Sequence, residues 1–406
     1  MKIAVIGAGW AGLAAAVDLV AGGASVTLFE AGRVPGGRAR TIDLDGRRLD
    51  NGQHILLGAY RETLDLMRRV DADPDTLLER LPLQVVADDG FRLALPRLPA
   101  PFNVALGLLT ARGVDRREKV DTALWMNAVQ RRGFRLARDL SVAAWLDAAG
   151  QTGVLRHRLW EPLCLAALNT PASRASAQLF ANVLRDSLGS PRRADTDLLL
   201  PRVPLGDVLP EPAARWLAAH GATLRFGERV RKLSPGPDGV AVDGEAFDAA
   251  VLAVAPQHLS ALLPDAPRLD YEPIATVYLQ YPDAVRLPYP LRQLTGKSGQ
   301  WVVDRGDGLL ACVQSGHGEW EKLSDHGLAA ALQNELGLGG PVRWQRVVRE
   351  KRATFSCRPG LSRADCVAGQ PRLLLAGDHS WADYPATLEG AVRSGRRAAQ
   401  RALAAG

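Results

Sequence analysis

Three glycines near the start of the chain stand at a spacing that can bind a nucleotide. In MKIAVIGAGWAG, Gly7, Gly9 and Gly12 follow the GxGxxG pattern, and Glu30 comes 18 residues after Gly12. Gly7 permits a tight turn, Gly9 lets the backbone approach a pyrophosphate, and Gly12 lets a helix pack closely on a strand. The Glu30 carboxylate can accept hydrogen bonds from a ribose. These residues predict a dinucleotide site, the alternative being a glycine-rich turn in another kind of α/β domain.

The elements around these glycines are those that such a site needs. The apolar run 3–6 predicts a buried parallel strand, and the Ala-rich stretch 13–20 predicts a helix. A second apolar run, 25–29, predicts a strand that ends at Glu30. Phosphates would then lie on free N–H groups at the positive end of the helix. The motif alone does not distinguish a nicotinamide cofactor from a flavin.

Two further stretches place polar groups beside the same site. VPGGRART (34–41) offers two glycines for close backbone approach and the Arg38 guanidinium for the pyrophosphate. LDNGQH (49–54) runs into an apolar stretch, as in a buried site with a few placed polar groups. The alternatives are a glycine turn with a solvated arginine and a polar turn before a helix.

The C-terminal stretch LLLAGDHSWADYPATLEGAVRSGRRAA (373–399) favours a flavin over a nicotinamide. It predicts a strand, a turn at Gly377 and Asp378 that carries a carboxylate, and a helix that starts within 385–388. This second helix N-terminus suits the negative charge on the pyrimidine side of a reduced flavin. A nicotinamide enzyme has no use for that arrangement.

These motifs resemble those of the flavin amine oxidase and carotenoid desaturase superfamily. The glycine-rich start, GGRART and the ending GD…P.TLEGA.RSG.RAA carry the resemblance at both ends of the chain. NGQHILLGAYRETLDLMRRV (51–70), LWEPLCLAALNTPASRASAQLFANVLRDSL (159–188) and YPATLEGAVRSG (384–395) resemble one bacterial branch, the hydroxysqualene dehydroxylases, also described as squalene-associated FAD-dependent desaturases. The resemblance implies an α/β fold: a Rossmann-like FAD-binding domain with GxGxxG on a parallel sheet, and an inserted α+β substrate domain.

The resemblance also implies which residues contact FAD. On the phosphate-loop side they are Gly7, Gly9, Trp10, Ala11, Gly12, Glu30, Ala31, Gly37 and Arg38. Near the isoalloxazine they are Gly52, Gln53, His54, Thr387 and Leu388. The Val230 backbone would hold the adenine, and Asp378, with Gly377, would bind the ribityl or pyrophosphate region. One departure counts against an amine oxidase: the lysine that holds a water at the flavin has no clear counterpart, Lys297 being nearest by position.

The implied reaction is reductive loss of an allylic hydroxyl from hydroxysqualene, giving squalene for bacterial squalene and hopanoid biosynthesis. Protonation lets water leave, the neighbouring double bond stabilises the allylic cation, and reduced FAD delivers hydride. His54 is the first candidate proton donor because imidazole titrates near neutral pH, with Asp383 and Tyr384 as competitors. Asn169 is a candidate for binding the substrate hydroxyl. Each has a structural alternative. His54 would only hydrogen-bond the flavin or the backbone, and Asp383 and Tyr384 would shape the turn before Pro385. Asn169 would cap the C-terminus of a helix.

Two other functions fit the same motifs. One is an FAD-dependent desaturase or oxidase of another prenyl lipid, such as a carotenoid precursor, or of an amine. The other is a non-catalytic prenyl-lipid carrier of the same fold, although such carriers have generally lost the flavin-contact glycines that this chain keeps. The electron donor is unidentified, an NADPH-linked reductant being one option.

Composition indicates which partners to expect and in which cellular compartment the protein works. The 406 residues carry a net charge of +6, with a pI of about 9.3, but no basic stretch is interleaved with aromatic residues. We therefore expect no nucleic-acid partner. Four cysteines without CxxC spacing predict reduced thiols and no metal site. Without a signal peptide or an apolar run of the ~18 residues that a spanning helix needs, a cytoplasmic protein is expected.

An insoluble triterpene substrate predicts peripheral contact with a membrane. LPRLPAPFNVALGLLTARGVDRR (95–117) has prolines, then an uncharged run over 102–109, and then three arginines. It is too short to span a bilayer, but it can lie in the interface with the arginines at the headgroups. The alternative is a buried helix of the inserted domain. The first interpretation would place the protein at the inner face of the cytoplasmic membrane.

The hydropathy pattern divides the chain into interleaved parts. Residues 1–80, 205–260 and 356–406 are assigned to a discontinuous FAD-binding domain, and residues 81–204 and 261–355 to a substrate-binding domain. Within 81–204 the pattern is mainly helical, with helices predicted at 119–137, 142–149, 155–168 and 175–188. Elsewhere it predicts helices at 213–220 and 327–336 and strands at 223–226, 249–254, 274–281, 299–304 and 309–315.

Overall fold

A computed structural model describes residues 1–264, 266, 268–296, 300–367 and 370–405. Its strands are β1 (Lys2–Ile6), β2 (Ser25–Glu30), β3 (Thr41–Leu44), β4 (Arg47–Asp50), β5 (Leu56–Leu57), β6 (Leu78–Leu81), β7 (Gln84–Val86), β8 (Arg92–Ala94), β9 (Leu198–Pro201), β10 (Thr223–Phe226), β11 (Leu233–Pro235), β12 (Val240–Val242), β13 (Glu245–Phe247), β14 (Ala249–Leu252), β15 (Tyr271–Gln280), β16 (Leu291–Gln293), β17 (Trp301–Asp304), β18 (Leu309–Ser315), β19 (Trp344–Phe355), β20 (Cys366–Val367) and β21 (Gln370–Leu375). Its α-helices are α1 (Trp10–Ala21), α2 (Arg61–Arg69), α3 (Pro74–Leu77), α4 (Phe102–Leu109), α5 (Arg116–Arg131), α6 (Val142–Ala148), α7 (Glu161–Leu168), α8 (Ala177–Asp186), α9 (Leu205–Val208), α10 (Pro210–Ala219), α11 (Pro256–Leu259), α12 (Asp325–Leu336) and α13 (Leu388–Ala404).

A six-stranded sheet in the order β10-β2-β1-β14-β21-β20 forms the nucleotide half of the molecule. Its strands run parallel except for the edge strand β20, which pairs with β21 in the antiparallel direction. Strands β1, β2 and β14 are almost wholly apolar and buried because both faces of the sheet are covered. Helices α1, α10 and α13 pack on one face, and the small sheet β11-β12-β13 covers the other. This architecture confirms the predicted α/β class with a parallel sheet.

Two glycines allow close packing around α1. Gly12 lets α1 pack on the glycine loop, and Gly395 lets α13 pack on α1. A Cβ atom on Gly12 would lie 1.8 Å from the Gly7 carbonyl oxygen, and one on Gly395 would lie 2.1 Å from the Ala11 carbonyl oxygen. A side chain at Gly395 would therefore push α13 away from α1, and one at Gly12 would push α1 away from the glycine loop. The two ends of the chain form one packed layer.

A five-stranded antiparallel sheet, β16-β17-β18-β15-β19, stands opposite the nucleotide half. Its side chains alternate between faces, as strand geometry requires. On β15, Ala275 and Val277 face α12 in one apolar core, whereas Ile274 and Thr276 face a large cavity. Helices α4 to α8 complete the wall with a further apolar core, to which the hairpin β7-β8 contributes.

Most predicted elements are present, and their ends differ for identifiable reasons. The predicted helix 155–168 is instead a π-helical turn, Arg156–Trp160, followed by α7. Pro162 lies in the first turn of α7 because it has no N–H to continue a hydrogen-bond ladder. Helix α8 begins at Ala177 because the Ser176 hydroxyl accepts the Leu179 N–H as an N-cap. Among the described residues, every helix is too short or too polar to cross a bilayer.

Candidate active site

The glycine loop between β1 and α1 has the geometry that the sequence predicts. Gly7 has φ +109°, and a Cβ there would lie 2.6 Å from the Ala253 carbonyl oxygen. Gly9, the N-cap of α1, differs because its Cβ would meet only the Gly37 Cα, at 4.0 Å. The space in front of Gly9 is therefore open. The α1 N-terminus has no side-chain cap from the described residues, so its first-turn N–H groups suit an anion.

A second glycine loop, at Gly36 and Gly37, lies against the first, and we call the two loops together the pyrophosphate cradle. Gly36 N–H donates to the Ala8 carbonyl at 2.8 Å, and Gly37 has φ +61°. A Cβ on Gly37 would lie 3.2 Å from the Gly9 Cα. The Trp10 indole N–H donates to the Ala39 carbonyl at 2.9 Å and fixes the loop. Because neither loop carries a side chain at this point, both backbones can approach a pyrophosphate that lies against them.

Glu30 stands at the end of β2, where the sequence predicts a ribose contact. One carboxylate oxygen accepts the Ala8 N–H at 2.7 Å, and the other accepts the Gly32 N–H at 2.6 Å. Both oxygens keep further lone pairs for ribose hydroxyls. Ala31 and the buried Val230 line the same end of the cavity. These residues fit the adenosine part of FAD.

Arg38 and Asp378 meet across the cavity wall. Arg38 donates from Nη2 to both oxygens of Asp378 at 2.7 Å and from Nη1 to the Ala353 carbonyl at 2.6 Å. Burial alone would raise the pKa of Asp378, but the charge of Arg38, the neighbouring His379 and the hydrogen bonds from Arg38 hold that pKa well below its usual range. Asp378 is therefore a carboxylate that can accept hydrogen bonds from ribityl hydroxyls. Its neighbour Gly377 also lines the cavity.

The residues predicted at the flavin ring lie on the same cavity. Gly52 has φ +117°, and the Gln53 N–H donates to Thr276 Oγ1 at 3.1 Å. Near the other end of the chain, Thr387 is the N-cap of α13, and its hydroxyl accepts the Gly390 N–H at 3.0 Å. Leu388 is the first residue of that helix. A second helix N-terminus therefore borders the cavity, as the negative charge of a reduced flavin requires.

His379 is a cavity residue that the sequence interpretation missed. Its side chain is 7% exposed and lines the cavity directly after Asp378. Nδ1 lies 3.6 Å from the nearer Asp378 oxygen, and neither ring nitrogen has a hydrogen-bond partner within the part of the chain that the structure describes. Gln53 Oε1 and the Tyr384 hydroxyl are also buried without a hydrogen-bond partner among the described residues. Buried polar atoms are nearly always paired, so these groups fit a polar cofactor that supplies the partners.

Beyond the polar end, the cavity continues between the antiparallel sheet and the helices. Its volume is about 1160 Å³, larger than the roughly 300–1000 Å³ typical of small-molecule sites. Its far part is mostly apolar, with walls formed by Ile55, Leu57, Val85, Leu159, Leu163, Ala166, Ala167, Val183, Leu188, Leu198, Ile274, Leu291, Trp301, Val303, Val313 and Val348. Such a wall can hold an extended apolar molecule beside the cofactor.

His54 lies between the polar and apolar parts. Its Nδ1 is 2.9 Å from the Gly52 carbonyl, which can only accept, so Nδ1 carries the proton and Nε2 is free to accept. Burial lowers the pKa of His54, although the Gly52 carbonyl and the charge of Asp50 oppose that effect. The imidazole is therefore neutral at pH 7. Proton donation from Nε2 requires the imidazolium form, which predominates only at lower pH.

Of the two other predicted proton donors, Tyr384 lines the cavity and Asp383 does not. Tyr384 is buried on the cavity wall, its ring under the Arg393 guanidinium at 4.6 Å, and burial raises the pKa of its phenol. Asp383, the preceding residue, is exposed and lies outside the cavity wall, which removes it as a proton donor. The turn that buries Tyr384 points its neighbour to solvent.

Asn169 lines the cavity, but its amide is used within the protein. It has φ +48° at the C-cap of α7, donates to Thr354 Oγ1 at 2.9 Å and accepts the Gly316 N–H at 2.8 Å. These bonds tie α7 to the antiparallel sheet. The contacts of Asn169 support the helix-capping alternative, and its contact with the substrate hydroxyl stays a prediction. Lys297, the nearest candidate for an amine-oxidase lysine, lies outside the described residues.

The four cysteines are free thiols with structural surroundings. Cys164, Cys312 and Cys357 are buried, and Cys366 is partly buried. Burial raises the pKa of Cys312 and of Cys357 to about 12, so both are protonated at neutral pH. Within the described ranges, histidine, cysteine and acidic side chains form no cluster of three that would hold a metal ion.

Comparison with known proteins agrees with this geometry. The family model described as flavin containing amine oxidoreductase matches residues 10–403. Hydroxysqualene dehydroxylase of Rhodopseudomonas palustris is 32% identical over 99% of this chain and 98% of its own. Zeta-carotene desaturase of Synechocystis sp. is 27% identical over 100% of this chain and 97% of its own.

A solved structure has the same fold. Cyclohexylamine oxidase of Brevibacterium oxydans superposes with a TM-score of 0.71 and 18% identity, over 100% of this chain and 99% of the other. That likeness confirms the predicted flavin amine oxidase-like architecture. With the family model matched over nearly the whole length, the chain belongs to the flavin-containing amine oxidoreductase family and is an FAD-dependent oxidoreductase.

Proposed function

We propose that this protein is a hydroxysqualene dehydroxylase, which converts hydroxysqualene to squalene in bacterial squalene and hopanoid biosynthesis. The observation that carries the proposal is one cavity that is lined both by the nucleotide-binding loops and by a mostly apolar wall. The full-length relative from Rhodopseudomonas palustris adds support through its name. A C30 isoprenoid alcohol needs such an apolar wall beside a flavin.

The reaction replaces a hydroxyl by hydrogen, so it consumes one proton and one hydride and releases water. When bound and reduced, FAD supplies the hydride. The chain holds the lipid in a fixed position and keeps the reacting carbon dry. Trp301, Leu163 and Val303 form part of the wall that excludes water, which would otherwise trap an allylic cation.

Of the described side chains, His54 is best placed to protonate the leaving hydroxyl. Its Nδ1–H is held by the Gly52 carbonyl, and its Nε2 is the remaining site for a proton taken from solvent. The substrate C–O bond breaks as that proton moves from Nε2 to the hydroxyl oxygen and water leaves. The Tyr384 hydroxyl, neutral and without a partner among the described residues, is the second candidate donor.

A desaturase acting on another prenyl lipid is the second candidate function. The full-length similarity to zeta-carotene desaturase favours it, and the apolar cavity accommodates a polyene equally well. The two reactions run in opposite redox directions: dehydroxylation consumes reduced FAD, whereas desaturation generates it. A non-catalytic carrier is disfavoured because the glycine cradle is intact.

Anaerobic turnover separates these functions. The holoenzyme is reduced with dithionite, freed of excess reductant and mixed with hydroxysqualene in detergent, and products are identified by mass spectrometry. Squalene formation with matching reoxidation of the flavin supports the proposal. Unchanged hydroxysqualene, together with reduction of the oxidised holoenzyme by a carotenoid precursor in a separate anaerobic mixture, would support the desaturase. An external donor must reduce FAD between turnovers, and an NADPH-linked reductase is our proposal for it.

A further inference from the structure

The structure leaves a patch of large apolar side chains exposed on α4 and α5. On α4, Phe102, Leu106 and Leu109 are 65%, 40% and 62% exposed, and their spacing places them on one side of the helix. On α5, Val120 and Leu124 are 53% and 65% exposed, one turn apart. Soluble proteins mostly expose such residues singly. We call these five residues the α4–α5 apolar surface.

The other side of α4 is packed against the protein. Asn103, Gly107 and Leu108 are buried. A Cβ on Gly107 would lie 2.4 Å from Leu95 Cδ2, just beyond β8, so the helix sits directly on that strand. Helix α4 is therefore held rigidly with its apolar side outward, and the predicted alternative of a fully buried helix is wrong.

The charges around this surface are mostly positive. Arg97, Arg112 and Arg116 are exposed at its borders, and Arg131 is exposed at the end of α5. The acidic Glu118 on α5 is turned inward, where its carboxylate accepts the Leu155 N–H at 2.6 Å. Two acids are exposed here: Asp115 caps α5, and Asp121 pairs with Arg117 at 3.8 Å, so the arginines remain in excess. An apolar surface bordered by arginines matches the interface of an anionic bilayer, where acyl chains and phosphates are adjacent.

The same surface adjoins the rim of the cavity. Arg158, which lines the cavity and is partly exposed, forms an ion pair at 2.6 Å with Asp89 in the turn between β7 and β8. The strand that follows this turn is bonded to the segment after α4, since Arg112 N–H donates to the Arg92 carbonyl at 2.8 Å. The part of the cavity wall at Arg158 therefore lies close to the segment that follows α4.

We propose that the α4–α5 apolar surface docks on an anionic lipid bilayer and places the Arg158 rim at the membrane, so that the substrate enters the cavity from lipid. The docking rests on the exposed side chains and their arginine border. The entry route additionally rests on the proposed function, because only a lipid substrate needs it. A second copy of this chain is the other occupant that such a surface could accept, and the test distinguishes the two.

The test is co-sedimentation of the holoenzyme with phosphatidylcholine vesicles, with and without phosphatidylglycerol. The double variant Phe102→Ser with Leu109→Ser should lower the fraction bound by roughly tenfold or more, because two large apolar side chains no longer enter the interface. The double variant Arg112→Gln with Arg116→Gln should lose only the part of binding that depends on phosphatidylglycerol and on low salt. Leu323→Ser, at an exposed leucine elsewhere, is the matched control and should bind like the wild type.

Each outcome has a definite meaning. Flavin content and thermal unfolding equal to wild type establish that the double variants are folded, as expected for exposed positions. Wild-type sedimentation by the Phe102 and Leu109 variant would overturn the proposal. So would a wild-type dimer that this variant converts to a monomer, because the surface would then be a contact between copies.

The entry route has its own readout. The Phe102 and Leu109 double variant should retain turnover of hydroxysqualene presented in detergent and lose it when the substrate is embedded in vesicles. The Arg112 and Arg116 double variant should also retain turnover in detergent, and in vesicles with phosphatidylglycerol its rate should fall only to the wild-type rate in vesicles without it. Equal loss in both presentations would contradict the entry route. If wild-type protein binds vesicles but converts no hydroxysqualene even in detergent, the proposed function fails while the membrane surface stands.

Discussion

Arg38 and Asp378 form a bidentate ion pair, with Nη2 2.7 Å from each carboxylate oxygen, although 340 residues separate them in the chain. Arg38 follows the first two strands of the parallel sheet, and Asp378 follows the last. The pair thereby joins the two loops that border the FAD site. Its atoms also line the cavity, so the same contact stabilises the fold and shapes the cofactor site.

Replacing Asp378 by Ala should destabilise the protein and release FAD. The change leaves the Arg38 guanidinium, which is largely buried, without its partner, at a cost of about 3–5 kcal/mol in the free energy of unfolding. Urea denaturation and flavin content measure the two effects. Asp383→Ala, at an exposed carboxylate five residues away, is the control and should change stability by less than about 0.5 kcal/mol. Equal stability of the two variants would contradict the role of the pair.

The ion pair also predicts acid sensitivity. Because the pKa of Asp378 is lower in the folded protein than in the unfolded chain, its stabilisation is complete above the unfolded value of about 3.9. It is lost as pH falls below that value towards the folded pKa. The Asp378→Asn variant should therefore lose less stability than wild type between about pH 5 and pH 3. Parallel pH–stability curves would show that Asp378 does not titrate in this way.

Two glycines of the same loop should respond differently to alanine. At Gly9, with φ −73° and open space around the Cβ position, Ala should leave the fold intact and weaken FAD binding by filling the pyrophosphate cradle. At Gly12, Ala would meet the Gly7 carbonyl oxygen at 1.8 Å, so the protein should unfold or express insolubly. Circular dichroism and flavin content distinguish the two. A yellow, stable Gly9→Ala protein would contradict the assignment of the cradle.

Replacing His379 by Phe should weaken FAD binding with only a small effect on apoprotein stability. The ring nitrogens make no hydrogen bond in the described structure, and Nδ1 lies 3.6 Å from the Asp378 carboxylate, so an apolar ring should lower the free energy of unfolding by about 1 kcal/mol or less. The holoenzyme should lose FAD more readily on dialysis and show a shifted flavin absorption band. His326→Phe, on the surface of α12, is the control. Normal FAD retention by the His379 variant would show that its nitrogens do not contact the cofactor.

The pH dependence of turnover tests His54. Since burial lowers its pKa below the usual value of about 6.5, the donor form accumulates only as pH falls. The wild-type rate should rise from about pH 7.5 to pH 5.5, and His54→Gln should lose on the order of 10²-fold together with this dependence. If the acid rise persists in His54→Gln, the donor is elsewhere, and Tyr384→Phe becomes the variant to measure.

Sequence reasoning succeeded where the constraint is local. Gly7 and Gly12 leave no room for a Cβ atom, and that requirement produces a recognisable spacing. It failed where tertiary packing decides. Tyr384 and Asp383 are neighbours with similar promise in sequence, yet one turn buries the first and exposes the second.

The apolar wall of the cavity also has no sequence signature. Its members, such as Val85 and Trp301, come from separate elements, and sheet register decides which of their side chains face inward. His379 was missed for a similar reason, because only the structure shows a buried imidazole without a partner among the described residues. The sequence left open whether α4 is buried or exposed, and the structure exposes its Phe102 and Leu109.

The most direct test of the account is a single anaerobic turnover of the dithionite-reduced holoenzyme with hydroxysqualene. If the protein is a hydroxysqualene dehydroxylase, one squalene should form for each flavin reoxidised, with hydrogen from the reduced flavin in the product. Recovery of unchanged hydroxysqualene from a flavin that stays reduced would contradict it.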